Sequence, residues 1–415
     1  MADRRQQVVT YLDAPELGSA RRVGTLSRER SGSKSVISFA YDPGWLAARR
    51  SFVLDPALPL FAGEQYKPTL PGIFGDAAPD RWGRLLMERR EALMARREQR
   101  RQHRLDEWDF LIGVNDKTRM GALRLARPND GAFLDHGLLA IPPSARLRDL
   151  GHWANELERG LPRTASQAER WITMLIAPGS SLGGARPKAN FLGEKAALWI
   201  AKFPSREDRH DVGAWEYLLS RLALDAGIDI PETRLLRLGA TYRTFAARRF
   251  DRVGETRRLY ASAMTLAGKR DNEPASYLDL AEAVVNLGDP ATIADDLEQL
   301  YRRVVFNVLT GNRDDHLRNH GFLRSAKGWR LSPAFDVNPS PEKAEHSLAI
   351  NDVLRTPDLD IVKETASYYR LSPARRDQLT DEVRRAVSRW APLAREARIA
   401  GDEIERFAPV FDAVA

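Results

Sequence analysis

The 415-residue chain contains no cysteine, which excludes a disulfide, a thiolate nucleophile, a thiolate-ligated zinc site and an iron–sulfur cluster. That composition suits a reducing compartment. Long apolar runs are also missing. Stretches such as Trp171 to Ala177 and Val304 to Leu309 fall far short of the roughly 20 residues that a membrane-spanning helix needs. The opening Met1-Ala2-Asp3-Arg4-Arg5 leads into polar sequence without the apolar core or small-residue cleavage site of a signal peptide. We expect a cytoplasmic protein with no membrane contact. Apolar material itself is not scarce: hydrophobic residues make up 43% of the chain, enough for a sizeable core, so a disordered chain or a mini-protein is excluded.

Charge is the next signal. There are 64 Lys and Arg against 57 Asp and Glu, a net charge of +7, which permits an anionic partner without requiring one. Much of the excess lies between Arg81 and Arg104, where arginines outnumber Glu88, Glu91 and Glu98. The run reads as an exposed helix. Trp82, Leu85, Leu86, Leu93 and Met94 pin one side of it, and the arginines form either a solvated face or a phosphate-binding stripe.

Two or three compact units are expected at this length, and there is no internal repeat. Residues 1–143 carry short strand-like runs (Gln7 to Leu12, Ser35 to Tyr41), the Arg-rich helix, the apolar Phe110 to Val114 and a turn at Gly121-Ala122. This is an α+β pattern, closed by the linker-like punctuation of Ile141-Pro142-Pro143. Residues 144–270 hold a glycine-rich turn from Gly179 to Ala185, a strand-like Ala196 to Lys202, a helix-like Trp215 to Ala226 and a strand-like Thr244 to Arg248. Residues 271–415 turn helical. Leu297, Leu300, Val304 and Val308 recur with helical spacing, and Gly311 has the position of a C-cap. A mixed region followed by a helical one predicts a bilobal enzyme.

The densest polar constellation follows that last helix: Gly311-Asn312-Arg313-Asp314-Asp315-His316-Leu317-Arg318-Asn319. Asp314 and Asn319 have the D-x-x-x-x-N spacing of a kinase catalytic loop, in which the Asp orients or deprotonates the hydroxyl and the Asn holds magnesium. Strand-like Gly321 to Arg324 and Trp329 to Leu331 come next. Then Phe335-Asp336-Val337 sets a second carboxylate where a kinase keeps a metal-binding Asp. Taken singly, each of these residues could be a turn or a helix cap. His316 and His320 are four apart, but Leu317 stands where an H-E-x-x-H zinc site needs Glu.

Lys202, ending an apolar strand-like run, is the candidate cation for the α- and β-phosphates of ATP. Glu216, on the next helix-like segment, is either the carboxylate that orients it or an exposed helix residue. The loop from Gly179 to Lys188 has two adjacent glycines, Gly183 and Gly184, and two cations, Arg186 and Lys188. It matches neither common phosphate-loop signature.

Taken in order, Ser181-Leu182-Gly183-Gly184-Ala185-Arg186-Pro187-Lys188, Trp199-Ile200-Ala201-Lys202-Phe203-Pro204, Arg249-Phe250-Asp251-Arg252, the loop from Gly311 to Asn319, and Phe335-Asp336-Val337 resemble the HipA family. The N-terminal segment is similar too, through Val23-Gly24-Thr25-Leu26, Phe39-Ala40-Tyr41-Asp42 and Leu58-Pro59-Leu60. The resemblance covers nearly the whole chain. It implies a protein-kinase-like bilobal fold and an ATP- and magnesium-dependent serine/threonine kinase, the toxin half of a toxin–antitoxin pair. It further implies catalysis by Asp314, magnesium ligation by Asn319 and Asp336, and nucleotide binding by Lys202, Phe250, Gly183, Gly184 and His316. Ser181 falls at the family's autophosphorylated loop serine, where a phosphate paired with Arg186 or Lys188 would switch the enzyme off. The implied partners are a small helix-turn-helix antitoxin of the HipB type, DNA through that antitoxin, and a protein substrate such as an aminoacyl-tRNA synthetase. Two departures stand out: Arg186 replaces the family's usual Gln and Arg318 its usual Lys, a point ammonium becoming a planar fork. The contrasting reading is a nucleotide-binding corepressor that acts beside its antitoxin without kinase turnover.

Overall fold

The computed structural model describes residues 5–15, 20–31, 34–129, 131–134, 141–160, 175, 184 and 186–412. The chain clusters into two compact units, Met1–Ala201 with Asp251–Ala261, and Lys202–Phe250 with Ser262–Ala415. The architecture is α+β. Neither the boundary expected near Pro143 nor the one near residue 270 is a boundary of these units. Among the described residues no helix is long and apolar enough to cross a membrane.

The first unit is built on an antiparallel sheet of β1 (Gln6–Leu12), β2 (Arg21–Ser31), β3 (Lys34–Tyr41), β4 (Glu64–Lys67) and β5 (Leu123–Ala126), in the order β4-β3-β2-β1-β5. Register sets its core: Val8 pairs with Leu26 and Leu26 with Phe39, all three buried, and the Phe39 ring packs 5.5 Å from Phe74. Each such side chain contributes about 1.5–3 kcal/mol by leaving water. Gly24 is required by close approach, since a Cβ there would lie 2.4 Å from the Ala40 carbonyl oxygen.

Outside the sheet, the Arg-rich segment is a helix over Arg81–Arg97. It buries Trp82, Leu86 and Leu93 and ends in exposed arginines. Asp80 caps it by accepting from the Gly83 amide at 2.8 Å. The apolar run from Phe110 belongs instead to the helix Glu107–Ile112, whose start carries a capping box between Asp106 and Asp109. Arg28, on β2, turns inward and meets Asp106 at 2.5 Å. A small hairpin, Arg252–Val253 with Thr256–Arg257, joins this unit. Asp251 accepts from the Gly121 amide at 2.9 Å, and Arg252 donates to the carbonyls of Gly121 and Arg119 at 3.1 and 2.7 Å.

The second unit is organised around the helix Ile293–Thr310, whose Leu297, Leu300, Val304 and Val308 are fully buried. It packs against the helices Tyr277–Leu287 and Pro373–Val387. The left-handed Gly311, φ +61°, stops it. A Cβ at Gly311 would collide with Val410. The helix Val212–Asp225 lies under an aromatic stack: Trp215 sits 4.2 Å from Phe407, and Phe411 lies 4.5 Å from Trp390. Glu403, on the helix Gly401–Asp412, accepts from Trp215 Nε1 at 2.9 Å and from the Asp211 amide at 3.1 Å.

Candidate active site

Three side chains of the second unit meet at one ammonium. Lys202 closes the strand Leu198–Lys202, Glu216 lies one turn into the helix Val212–Asp225, and Asp336 follows the hairpin of Gly321–Arg324 with Trp329–Leu331. Lys202 Nζ donates to Glu216 Oε1 at 2.5 Å and to Asp336 Oδ1 at 2.6 Å, and stands 5.7 Å above the Phe245 ring. Glu216 is buried, so the exposed alternative for it is excluded. Burial alone would lower the pKa of Lys202, but Asp336 and Glu216 outweigh it and raise the value above the ordinary lysine range. The ammonium is locked in its charged form.

Asp336 carries a second peculiarity. Its φ is +59°, a left-handed conformation unusual outside glycine. Such backbone costs about 1–3 kcal/mol and persists only where the surroundings hold it. Phe335, the residue before it, packs 5.5 Å from Phe250. Phe250 is thus half-buried beside the Asp336 turn.

The loop after Gly311 splits its two neighbouring carboxylates between opposite environments. Asp315 is buried and accepts from Tyr277 Oη at 2.7 Å, Asn307 Nδ2 at 2.9 Å and His320 Nε2 at 2.7 Å. Burial pushes its pKa up, but His320 and Tyr277 outweigh that and hold it below the usual carboxylate range. Asn312 completes the scaffold by donating to Asn307 Oδ1 at 2.9 Å. Asp314 points the other way, exposed, with Lys343 Nζ on its Oδ1. His316 is exposed at the start of the turn Leu317–Asn319. Arg318 faces Asp271 in a two-pronged ion pair, at 3.1 and 2.8 Å.

Asn319 is buried, and its Nδ2 donates to the Asp314 carbonyl at 3.4 Å. That bond assigns the amide so that Oδ1 is the atom left to face a ligand. A small cavity is lined by Asn319 together with Phe335 and Val337, the residues flanking Asp336. An amide oxygen and a carboxylate are each hard donors of the kind magnesium takes, although Asp336 itself does not line that cavity and its Oδ1 is held by Lys202.

In the first unit, Lys188 is buried and donates to Asp80 Oδ2 at 2.9 Å and to the Gly184 carbonyl at 3.0 Å. Its ammonium is therefore spent inside the protein, which removes it from the pair of cations expected to meet a loop phosphate. Burial pushes Asp80 up to about 6, against the pull of Lys188. Ser181 and Gly183 lie outside the described residues; Gly184 is described and exposed. Sequence reasoning missed Asp80, Lys343 and the Asp315 scaffold. Of these only Asp315 carried a signal, its place inside the polar loop.

Two family models account for most of the chain: the HipA-like C-terminal domain over residues 180–390 and the HipA N-terminal domain over residues 17–126. The chain belongs to the HipA family. Among HipA relatives, the serine/threonine-protein kinase toxin HipA of Shewanella oneidensis is 24% identical over 225 residues, which is 46% of this chain and 47% of that protein. A protein of Haemophilus influenzae is 26% identical over 190 residues, 40% of this chain and 54% of its own length. The chain thus spans about half the length of these curated relatives. In three dimensions it resembles HipA from the Shewanella oneidensis complex of HipA, HipB and operator DNA, with a TM-score of 0.63 and 18% identity, covering 98% of this chain and 95% of that one. The HipA fold, of α+β architecture, is therefore the fold of this chain.

Proposed function

We propose that the chain is an ATP- and magnesium-dependent serine/threonine protein kinase, the toxin partner of a HipB-like antitoxin. One observation carries the reading: a charged lysine bridges a helix glutamate and a left-handed aspartate in the unit that also presents an exposed aspartate five residues before a buried asparagine. Phosphoryl transfer asks little covalent chemistry of a protein and a great deal of positioned charge, which is what these residues supply.

In this reading Lys202 takes the α- and β-phosphates of ATP and Glu216 fixes its direction. Phe250, with Phe335 beside it, offers an aromatic surface to the adenine. Asn319 and Asp336 would hold magnesium, whose chemistry when bound is to neutralise charge on the phosphoryl oxygens. Asp314, exposed at the loop surface, accepts the proton of the attacking hydroxyl while its oxygen bonds to the γ-phosphorus and ADP leaves. His316 and the glycines Gly183 and Gly184 complete the nucleotide contacts, and Ser181 is the residue that the kinase phosphorylates on itself. The acceptor protein is a translation component such as an aminoacyl-tRNA synthetase, the setting is the cytoplasm, and DNA is reached through the antitoxin.

The test is incubation of the purified chain with γ-labelled ATP and magnesium. Wild type should label itself on Ser181 and the Asp314→Ala variant should not. Nucleotide binding without any label on protein would favour the corepressor reading instead.

A further inference from the structure

Asp314 is the exposed carboxylate to which the proposed chemistry assigns the proton, and exposure leaves a side chain free to rotate. Among the described residues one group restrains it: Lys343, whose ammonium rests on Oδ1 and also donates to Ser347 Oγ at 3.2 Å. Lys343 is not an arm swinging from a loose turn. Its carbonyl accepts from Arg313 Nη1 at 2.5 Å, and the amide and hydroxyl of Ser347 both donate to the Arg313 carbonyl, at 2.9 and 3.1 Å. The Ser340 amide donates to the Gly311 carbonyl at 2.8 Å. The segment 340–347 is therefore stapled at both ends to the loop that carries Asp314.

The loop's own two cations are engaged elsewhere, Arg313 on the Lys343 carbonyl. Arg318 has its guanidinium committed to Asp271. An isolated exposed ion pair is worth little, but one whose two backbones are already fixed relative to each other loses less side-chain freedom on forming.

We propose that Lys343 is a positioning residue for Asp314: it holds Oδ1 so that Oδ2 faces the acceptor hydroxyl. This rests on the kinase reading above. Losing the orientation of a catalytic group typically costs about tenfold to a hundredfold in rate. Lys343→Met should therefore lower the rate constant of phosphate transfer by about that factor, with ATP affinity by calorimetry and melting temperature unchanged. Lys343→Arg should recover most of the rate, and Lys343→Met should add nothing in an Asp314→Asn background.

A second measurement reads the contact without turnover. In trace labelling with acetic anhydride, Lys343 should react several-fold faster in Asp314→Asn than in wild type, while the exposed Lys327 stays constant. Equal Lys343 labelling in the two proteins overturns the proposal. So does an active wild type matched in rate by Lys343→Met. A wild type that transfers no phosphate at all removes the kinase reading, and with it the proposal.

Discussion

Lys202 Nζ lies 2.6 Å from Asp336 Oδ1 while the same nitrogen holds Glu216 Oε1 at 2.5 Å. One positive charge thus separates two carboxylates that would otherwise face each other across a few ångströms. Lys202→Met should abolish detectable ATP binding and also lower stability, since a buried pair that loses one partner costs about 3–5 kcal/mol. Glu216→Gln in the same background should restore part of the melting temperature but none of the affinity. A Lys202→Met protein with wild-type melting temperature would contradict this account.

Asp314 and Asp315 are neighbours in sequence with opposite predicted phenotypes. Asp314→Asn alters an exposed group, so its melting temperature should stay within about 1–2 °C of wild type, given that surface changes cost under about 0.5 kcal/mol. Its phosphate transfer should fall by about 10²-fold or more, the range of a lost general base. Asp315→Asn should instead destabilise by about 3–5 kcal/mol, because Tyr277, Asn307 and His320 converge on one carboxylate. Thermal melts of the two variants, run beside a transfer assay, separate the roles.

His346 supplies a pH dependence. It is buried, and burial lowers its pKa to about 4, with Asp315 and the Asn312 backbone pulling the other way. Unfolded, it titrates near 6.5, so between these values the unfolded chain binds more protons and stability falls as pH falls. The contribution is fully present above about pH 6.5 and should decline by about 2 kcal/mol between pH 7 and pH 5. Guanidinium unfolding across that range should show wild-type stability falling relative to His346→Leu by about 2 kcal/mol on acidification. A stability difference that does not change with pH would sink the assignment.

The pair of Asp80 and Lys188 is testable by charge alone. Asn caps helices as well as Asp does, so Asp80→Asn keeps the helix start at Arg81 while stranding a buried ammonium. The expected cost is about 3–5 kcal/mol, read as a lowered melting temperature. Adding Lys188→Met should return part of it. If Asp80→Asn melts like wild type, Lys188 is not held as described.

Much of this was readable along the chain where one local pattern decides the outcome. The strands Thr244–Arg248, Gly321–Arg324 and Trp329–Leu331 begin and end where alternation and turn residues place them, and Gly311 stops its helix as a C-cap glycine should. β2 was missed because it carries Arg28, whose inward turn makes sense only once Asp106, 78 residues on, is seen beside it. The apolar run from Phe110 gave no period long enough to separate strand from helix, and it is the end of a helix. The Asp-x-x-x-x-Asn spacing drew attention to the right loop, but nothing in it says which carboxylate is buried. Lys343 and Asp80 were invisible because their partners, 29 and 108 residues away, are chosen by tertiary structure. Phe250 marked a phrase whose other half, Asp251-Arg252, ties a hairpin to the Gly121 turn.

The aromatic stack over Trp215 also sets a clock. The helix that carries Glu216 is capped by Asp211, whose amide donates to Glu403, and Trp215 packs on Phe407 and Phe411; 192 residues separate Asp211 from Glu403. At about 5–20 residues per second, a ribosome needs roughly 10–40 s to cover that interval. For all of it the helix bearing Glu216 has been made but cannot bury Trp215, and Lys202 has no fixed glutamate to meet. Trp215 therefore meets its aromatic partners only once the helix Gly401–Asp412 has been made.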